Sequence, residues 1–313
     1  NTTGNNNTAV GKDALKLNAT SNNNTGVGNS ALFTNVGNEN TGLGGTSMYS
    51  NTTGNYNTAV GRSSMRDNTT ASSNTAVGHN AMLLNTTGTR NLAIGANAYD
   101  ASDTENDNIA IGYDAMTTNT AGGSENIALG NYALDALTSG DKNVAVGMYA
   151  LGANNSGGSN TGIGHFALTA NTTGSQNVAI GKDALDSNTT GADNVAMGTD
   201  ALQANTTGSR NVAIGKDALT TSHNGNDCVA IGKGALSANT GGENIAVGTS
   251  AADANTSGVR IIAIGTNAYG ASDTENDNLA IGHGTMSTNT AGGNENVAIG
   301  NYALDALTSG DSN

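Results

Sequence analysis

The sequence returns to itself every seventeen residues, and this period limits what the chain can fold into more than any other feature. In each copy a glycine closes a segment of the form N-[TVIL]-[AG]-[VILM]-G, at Gly11, Gly28, Gly44, Gly61, Gly78, Gly95, Gly112, Gly130, Gly147, Gly164, Gly181, Gly198, Gly215, Gly232, Gly248, Gly265, Gly282 and Gly300. Successive spacings are 17 residues, with four departures by one residue. Such a period marks a solenoid, in which each copy is one turn stacked on the next. A longer copy is superposed on it: residues 96–143 return as 266–313, ten turns later, with 37 of 48 positions identical, as a segmental duplication would leave them. The chain reads as a single solenoid domain over 1–313, a segment of a longer array.

Each position in the turn has a physical meaning. The residue before the glycine is aliphatic or Met in every copy (Val10, Ile94, Met197, Ile299), and the residue two earlier is aliphatic or Thr (Thr8, Val178, Ile262). Only Ala or Gly stands between them. Alternation over so few residues is strand spacing. It predicts an all-β fold, a parallel β-solenoid or β-roll of about 18 turns. The large residues are expected to fill a narrow core, leaving the Ala/Gly face for something to approach closely. Four residues after the glycine comes a second apolar position (Leu15, Met82, Leu185, Leu304), with Tyr99, Ala252 and Tyr269 as exceptions. An extended segment is expected there, with one helical turn as the alternative. Asn-Thr-Thr-Gly follows, as at Asn85 to Gly88 and Asn205 to Gly208, and suits a tight reversal because Asn and Gly tolerate positive φ.

Two asparagine columns result. The residue four before the glycine is Asn in sixteen of eighteen turns, failing at Cys228 and Ile261. The residue seven after it is Asn in thirteen, among them Asn18, Asn51, Asn171 and Asn289. Identical amides stacked at a strand spacing of roughly 4.8 Å would hydrogen-bond along the axis as polar ladders do. Ordinary turn preference accounts for the second column better than for the first. At that spacing the array would be about 80 Å long.

Composition narrows the class further. At 313 residues the chain has the length of two ordinary domains, yet only 35% of it is hydrophobic and 3% aromatic, with 45 glycines and neither Trp nor Pro. That is too little bulk for a conventional core, and a disordered tract has no reason to keep a period. The net charge of −14 lacks the basic footprint that nucleic acid or an anionic membrane surface requires. No apolar run approaches bilayer length, no signal peptide opens the chain, and the single Cys228 has no intrachain partner. Few large groups are buried per turn against seventeen residues ordered, so a lone chain is short of stability. A homo-oligomer, with a trimer foremost, is expected.

The stretch NVAIGKDALDSNTTGADNVAMG, from Asn177 to Gly198, and its siblings carry a resemblance. The strand segment resembles the head repeats of YadA-like trimeric autotransporter adhesins. The fuller unit, with G-x-x-A-L and N-T-T-G, resembles repeat arrays in tail-fibre-like and surface proteins of phages and bacteria. The resemblance covers essentially the whole chain. It implies a left-handed parallel β-roll with three chains around an axis, at a cell or virion surface or otherwise outside the cell. The adhesin heads use a shorter repeat, so the second half of each turn is expected to differ. No polar cap is visible at either end of the sequence, which suits a segment of a longer array or end-to-end stacking into filaments.

Candidate chemistry is sparse. His79, His165 and His283 follow the glycine, in a column that also holds Lys12, Arg62, Tyr113, Lys182 and Lys216. A column so variable reads as a solvent face, and no nucleophile motif accompanies it, so an enzyme is not expected. Gly26-Val27-Gly28 and Gly42-Leu43-Gly44 echo a phosphate loop but belong to the repeat. Asn-x-Thr/Ser sequons are by-products of the turn unless the chain enters a eukaryotic secretory pathway. The run Asp103, Glu105, Asp107, repeated as Asp273, Glu275, Asp277, could gather a Ca²⁺ ion, although it lacks the glycine and distal glutamate of an EF-hand loop. Otherwise no cofactor is expected.

Three functional readings follow. The first is an adhesive or receptor-binding fibre segment for attachment to a host surface or glycan. Its weak contacts would come from Lys12, Arg62, His79, Tyr113, His165, Lys182, Lys216, Lys233 and His283, multiplied by avidity. The second is a self-assembling filament or spacer with no ligand of its own. Ice binding through threonines is a distant third, because regular T-x-T faces are absent.

Overall fold

A computed structural model of the chain describes residues 3–119, 122–221, 224–271, 274–288, 293–306 and 310–313. It forms two compact units, Asn1–Ser159 and Asn160–Asn313. Among the described residues the first unit carries nine three-residue strands, from β1 (Thr8–Val10) to β9 (Val144–Val146). The described residues of the second carry nine more, from β10 (Thr161–Ile163) to β18 (Val297–Ile299). Within each unit, consecutive strands pair in parallel with like residues in register, as Thr8 with Thr25 and Val10 with Val27, or Val195 with Val212 and Met197 with Ile214. Residues about seventeen apart therefore lie side by side, and each unit is a parallel β-solenoid.

The faces of the strands are the reverse of what alternation suggested. Ala76, Ala93, Ala196 and Ala213 are fully buried, whereas Ile94 and Ile214 are 38% and 37% exposed. The cause is lack of room. Inside each turn the strand's small residue already touches the apolar column four residues after the glycine. A Cβ added at Gly26 would meet Leu15 Cγ at 3.2 Å, and one at Gly42 would meet Leu32 Cγ at 3.2 Å and Ser47 Oγ at 3.0 Å. A methyl nearly fills the space; a valine cannot. The partner that approaches the Ala/Gly face is thus the chain's own Leu/Met column, in which Leu32, Met82, Leu134, Leu185 and Leu219 are fully buried.

The second half of the turn is neither an extended segment nor a helical turn. Left-handed residues recur two and four after the glycine, as at Asp183 (φ 55°) and Leu185 (φ 54°), and again at the twelfth position, as at Asp193 (φ 58°). Leucine rarely adopts this conformation. Here it is offset by hydrogen bonds running both ways along the stack: Asp183 N–H donates to His165 O (3.0 Å), and Leu185 N–H donates to Ala201 O (2.9 Å). The repeat glycine itself is obligatory. Gly181 has φ 139°, and a Cβ there would lie 2.5 Å from Gly198 O.

Both asparagine columns are buried ladders. In the first, Asn194 N–H donates to Asn177 Oδ1 (3.0 Å) while Asn194 Nδ2 donates to Gly208 O (2.8 Å) and Asn177 Oδ1 (3.1 Å). In the second, Asn188 Nδ2 donates to Asn171 Oδ1 (2.8 Å) and Gly191 O (3.0 Å). This second column is therefore more than a turn preference, though its member Asn289 lies outside the described residues.

The packing makes a simple contrast testable. Ala196→Val should destabilise the chain by about 1–3 kcal/mol through overpacking, whereas Val195→Thr, on the outer face, should stay within about 0.5 kcal/mol. Urea midpoints at constant m-value would measure both.

Candidate functional site

With the small residues turned inward, the two large positions of every strand face out. They form a two-column aliphatic stripe on each unit. In the second unit it includes Val195, Met197, Val212, Ile214, Val229, Ile231, Ile262 and Ile264. In the first unit the same stripe is partly hydroxylated, with Thr25, Thr41, Thr58 and Thr75 beside Val27, Leu43, Val60 and Val77.

Two polar columns border the stripe. After the glycine lie Lys12, Arg62, His79, Tyr113, Lys182, Lys216, Lys233 and His283, all exposed. His165 is half-buried, edge-on to Phe166 at 4.1 Å between ring centroids. The period places Arg62 beside His79, His165 beside Lys182, and Lys216 beside Lys233 in adjacent turns, and spaces the other members of the column further apart. Several cations are tied to an aspartate next in sequence. Lys182 Nζ lies 2.6 Å from Asp183, and the hydrogen bond raises the lysine's pKa. Burdened in the same way, Tyr113 is pushed up by the charge of Asp114.

The opposite border, five residues before each glycine, exposes the carboxylates Glu39, Glu125, Asp193, Glu243 and Glu295. The same column holds bidentate pairs between successive turns: Arg90 with Asp107, Arg210 with Asp227, and Arg260 with Asp277, at 2.6, 2.7 and 2.5 Å.

These pairs decide how the acidic run is used. Asp107 and Asp277 point out to their arginines, which hold both carboxyls below the usual range. Asp103 accepts a hydrogen bond from Thr86 Oγ1. Glu105, 3% exposed, stands where most turns have glycine, and its carboxylate folds back over its own turn. It accepts from Ser102 Oγ, Asp103 N–H and Thr104 N–H at 3.0 Å each, and from Gly122 N–H at 3.0 Å. Glu275 repeats the contact with Thr274 N–H (3.0 Å), while Asp273 lies outside the described residues. Among the described residues, no three His, Cys, Asp or Glu side chains are grouped so as to hold one metal ion.

Sequence reasoning passed over the aromatic columns. Phe33 and Tyr49 stack at 5.0 Å and 11°, with Lys16 Nζ 5.4 Å from the Phe33 ring. Tyr132 and Tyr149 stack at 4.8 Å and 5°, with Tyr113 edge-on to Tyr132 at 5.6 Å. Rings separated by one period were the available signal. A shallow cavity of about 350 Å³ on the first unit is lined by Asp67, Leu84, Thr86, Ala101 and Asp103. Cys228 is buried in the first asparagine column, where burial pushes its thiol up to about 11. No helix among the described residues is long and apolar enough to cross a membrane.

Comparison with known protein families finds no matching family for this sequence, and comparison with curated proteins finds no match.

Burial acts to raise the Glu105 carboxyl, but the N–H groups of Glu105, Asp103 and Thr104 and the Ser102 hydroxyl outweigh it and hold the group below its ordinary range. A depressed folded-state pKa gives stability that is present above the unfolded value and lost as pH falls through the folded one. Glu105→Gln should therefore cost about 1–3 kcal/mol at neutral pH. It should also flatten the fall of the unfolding midpoint on acidification. Denaturant titrations across the acid range would check both.

Proposed function

We propose that this chain is a non-catalytic structural segment of an extended fibre outside the cell or virion, built from copies of itself and presenting repeated weak surface contacts for attachment. The observation that carries this reading is the outward aliphatic stripe. A three-residue strand is roughly 10 Å wide, and nine strands at roughly 4.8 Å run about 40 Å, so each unit offers on the order of 400 Å². Exposed apolar patches of this size mark interaction sites. The stripe of one unit supplies about half of the ~800 Å² per partner of a stable interface.

A second copy is the occupant that fits. Its stripe has the same ridge spacing, so the two can interdigitate along their length. The borders favour rotation about an axis over a two-fold pairing. One edge carries cations such as Lys182, Lys216 and Lys233, and the other carries carboxylates such as Asp193 and Glu243. A head-to-tail ring sets one edge of each copy against the opposite edge of the next. Three copies is the number the adhesin resemblance implies. The columns left outside the interface, including the stacked aromatics, would then recur around and along the fibre, where many weak sites act together.

Sedimentation of the wild-type protein should give a closed oligomer. Ile214→Asp with Ile231→Asp should yield monomers with an unchanged far-UV spectrum. A wild-type monomer would sink the reading, and long polymers by electron microscopy would favour a filament without a ligand.

A further inference from the structure

We propose that Asn224–Gly225 is a built-in site of spontaneous modification, at which the folded chain loses ammonia through a succinimide and acquires an aspartyl or isoaspartyl link. In a sequence crowded with asparagine and glycine, these two residues form the single Asn-Gly dipeptide. Glycine is the least hindered residue that can follow a reacting asparagine, because no Cβ shields its amide nitrogen.

Most asparagines here are unable to react. Cyclisation needs the side chain to swing until Cγ meets the next main-chain nitrogen, and in the buried columns the amide is enclosed and hydrogen-bonded, in many turns at both ends. Asn188 is typical: Nδ2 donates to Asn171 Oδ1 and Gly191 O, and Oδ1 accepts from Asn205 Nδ2 (2.8 Å). Moving it breaks three hydrogen bonds in a buried interior.

Asn224 is different in each respect. It is exposed. Its Oδ1 accepts from Thr206 Oγ1 (2.6 Å) and Thr207 Oγ1 (3.1 Å), both from the preceding turn. Two hydroxyl donors on that oxygen make Cγ more electrophilic and stabilise the negative charge that builds there on attack, as an oxyanion hole does. In some other turns the glycine at this position has its N–H tied to the next turn, as Gly88 to Asp103 O and Gly174 to Thr189 O. Among the described residues the Gly225 N–H donates no hydrogen bond, although its carbonyl accepts from Asn211 Nδ2 (2.9 Å).

The step balances with water alone. Gly225 N bonds to Asn224 Cγ and gives its proton to solvent; the tetrahedral centre then breaks its bond to Nδ2, which leaves as ammonia. Water opens the resulting ring. Cleavage of the Cγ–N bond yields aspartate, and cleavage at the main-chain carbonyl carbon yields an isoaspartyl link, with one more carbon in the backbone. Either product adds a carboxylate within reach of Thr206 and Thr207. Because a solenoid turn contacts only its neighbours, the mark stays local and accumulates with time after folding.

The test is to incubate the folded protein at mildly alkaline pH, digest it with trypsin, and follow the peptide from Asp217 to Lys233 by mass spectrometry with fragmentation that separates the two products. The NH-to-O mass gain should arise first at Asn224, ahead of the exposed Asn29–Ser30 and Asn155–Ser156. Thr206→Val with Thr207→Val should slow it on the order of tenfold, less than loss of one donor costs a sequestered oxyanion hole. Gly225→Ala should also slow it, with the fold checked by circular dichroism. Reaction first at another asparagine, none at Asn224, or a rate untouched by the double valine substitution would overturn the proposal.

Discussion

Within each unit the clasp made by the first asparagine column holds one turn to the next, and the rest of the architecture depends on it. The side-chain oxygen of one Asn takes the main-chain N–H of the next, as Asn40 Oδ1 takes Asn57 N–H at 3.0 Å. The amide nitrogen reaches the carbonyl that ends the following reversal, as Asn57 Nδ2 reaches Ala71 O at 2.8 Å. One residue thereby satisfies a buried donor and a buried acceptor that no strand ladder could reach, each of which would cost about 1–3 kcal/mol if orphaned. The two failures of the column are instructive. Cys228 N–H and Ile261 N–H still donate to the asparagine before them (2.9 Å each), but neither side chain offers an amide oxygen to the turn that follows. A single missing clasp is tolerated because turns on both sides remain tied.

This interior explains which parts of the fold were legible. The period, the strand positions, the parallel register and the ladders follow from repetition alone, since identical residues spaced by one turn must be neighbours. Which strand face points inward does not follow from alternation, because periodicity fixes two sets of residues without saying which is enclosed. The usual rule that bulk goes inside fails on the strand, because the Leu/Met column already fills the interior of the turn. The better guide was constancy. Within the strand, a position that admits only Ala or Gly in every turn is the confined one, while its neighbours, which accept Thr, Val, Ile or Leu, face outward. The left-handed leucines were not legible for a different reason: local preference argues against them, and only bonds to the turns above and below compensate.

The candidate site was legible in outline and wrong in emphasis. The column after the glycine is exposed at most of its members, as its variability implied, and two of its lysines, Lys182 and Lys216, lie beside aspartates that lower their availability. The acidic run looked like a ligand set because its carboxylates alternate in sequence. In the fold the alternation sends Asp107 outward to Arg90 and Glu105 inward to main-chain amides, so the two groups serve different ends. What sequence reasoning undervalued was the aliphatic stripe, hidden by its assignment to the core. Threonine in that stripe at Thr41, Thr58 and Thr75 follows the same logic, since an outward hydroxyl needs no interior partner.

The duplicated stretch shows how such an interior can change at all. At Tyr99 a phenol replaces the leucine of the apolar column and is fully buried. Its added length reaches the region normally held by the second asparagine, where Ser102 now stands, and its hydroxyl accepts from Asn108 Nδ2 at 2.6 Å. Glu105 replaces the glycine of the reversal, and its carboxylate accepts from the Ser102 hydroxyl and the Thr104 N–H. In the second copy Tyr269 accepts from Asn278 Nδ2 at 2.8 Å, with Glu275 again in the glycine position. A larger phenol, a smaller serine and a folded-back carboxylate form one exchange, each member compensating for another. In a core this narrow, residues change as a set, and a duplication that copies the set whole is the route by which a second instance can arise.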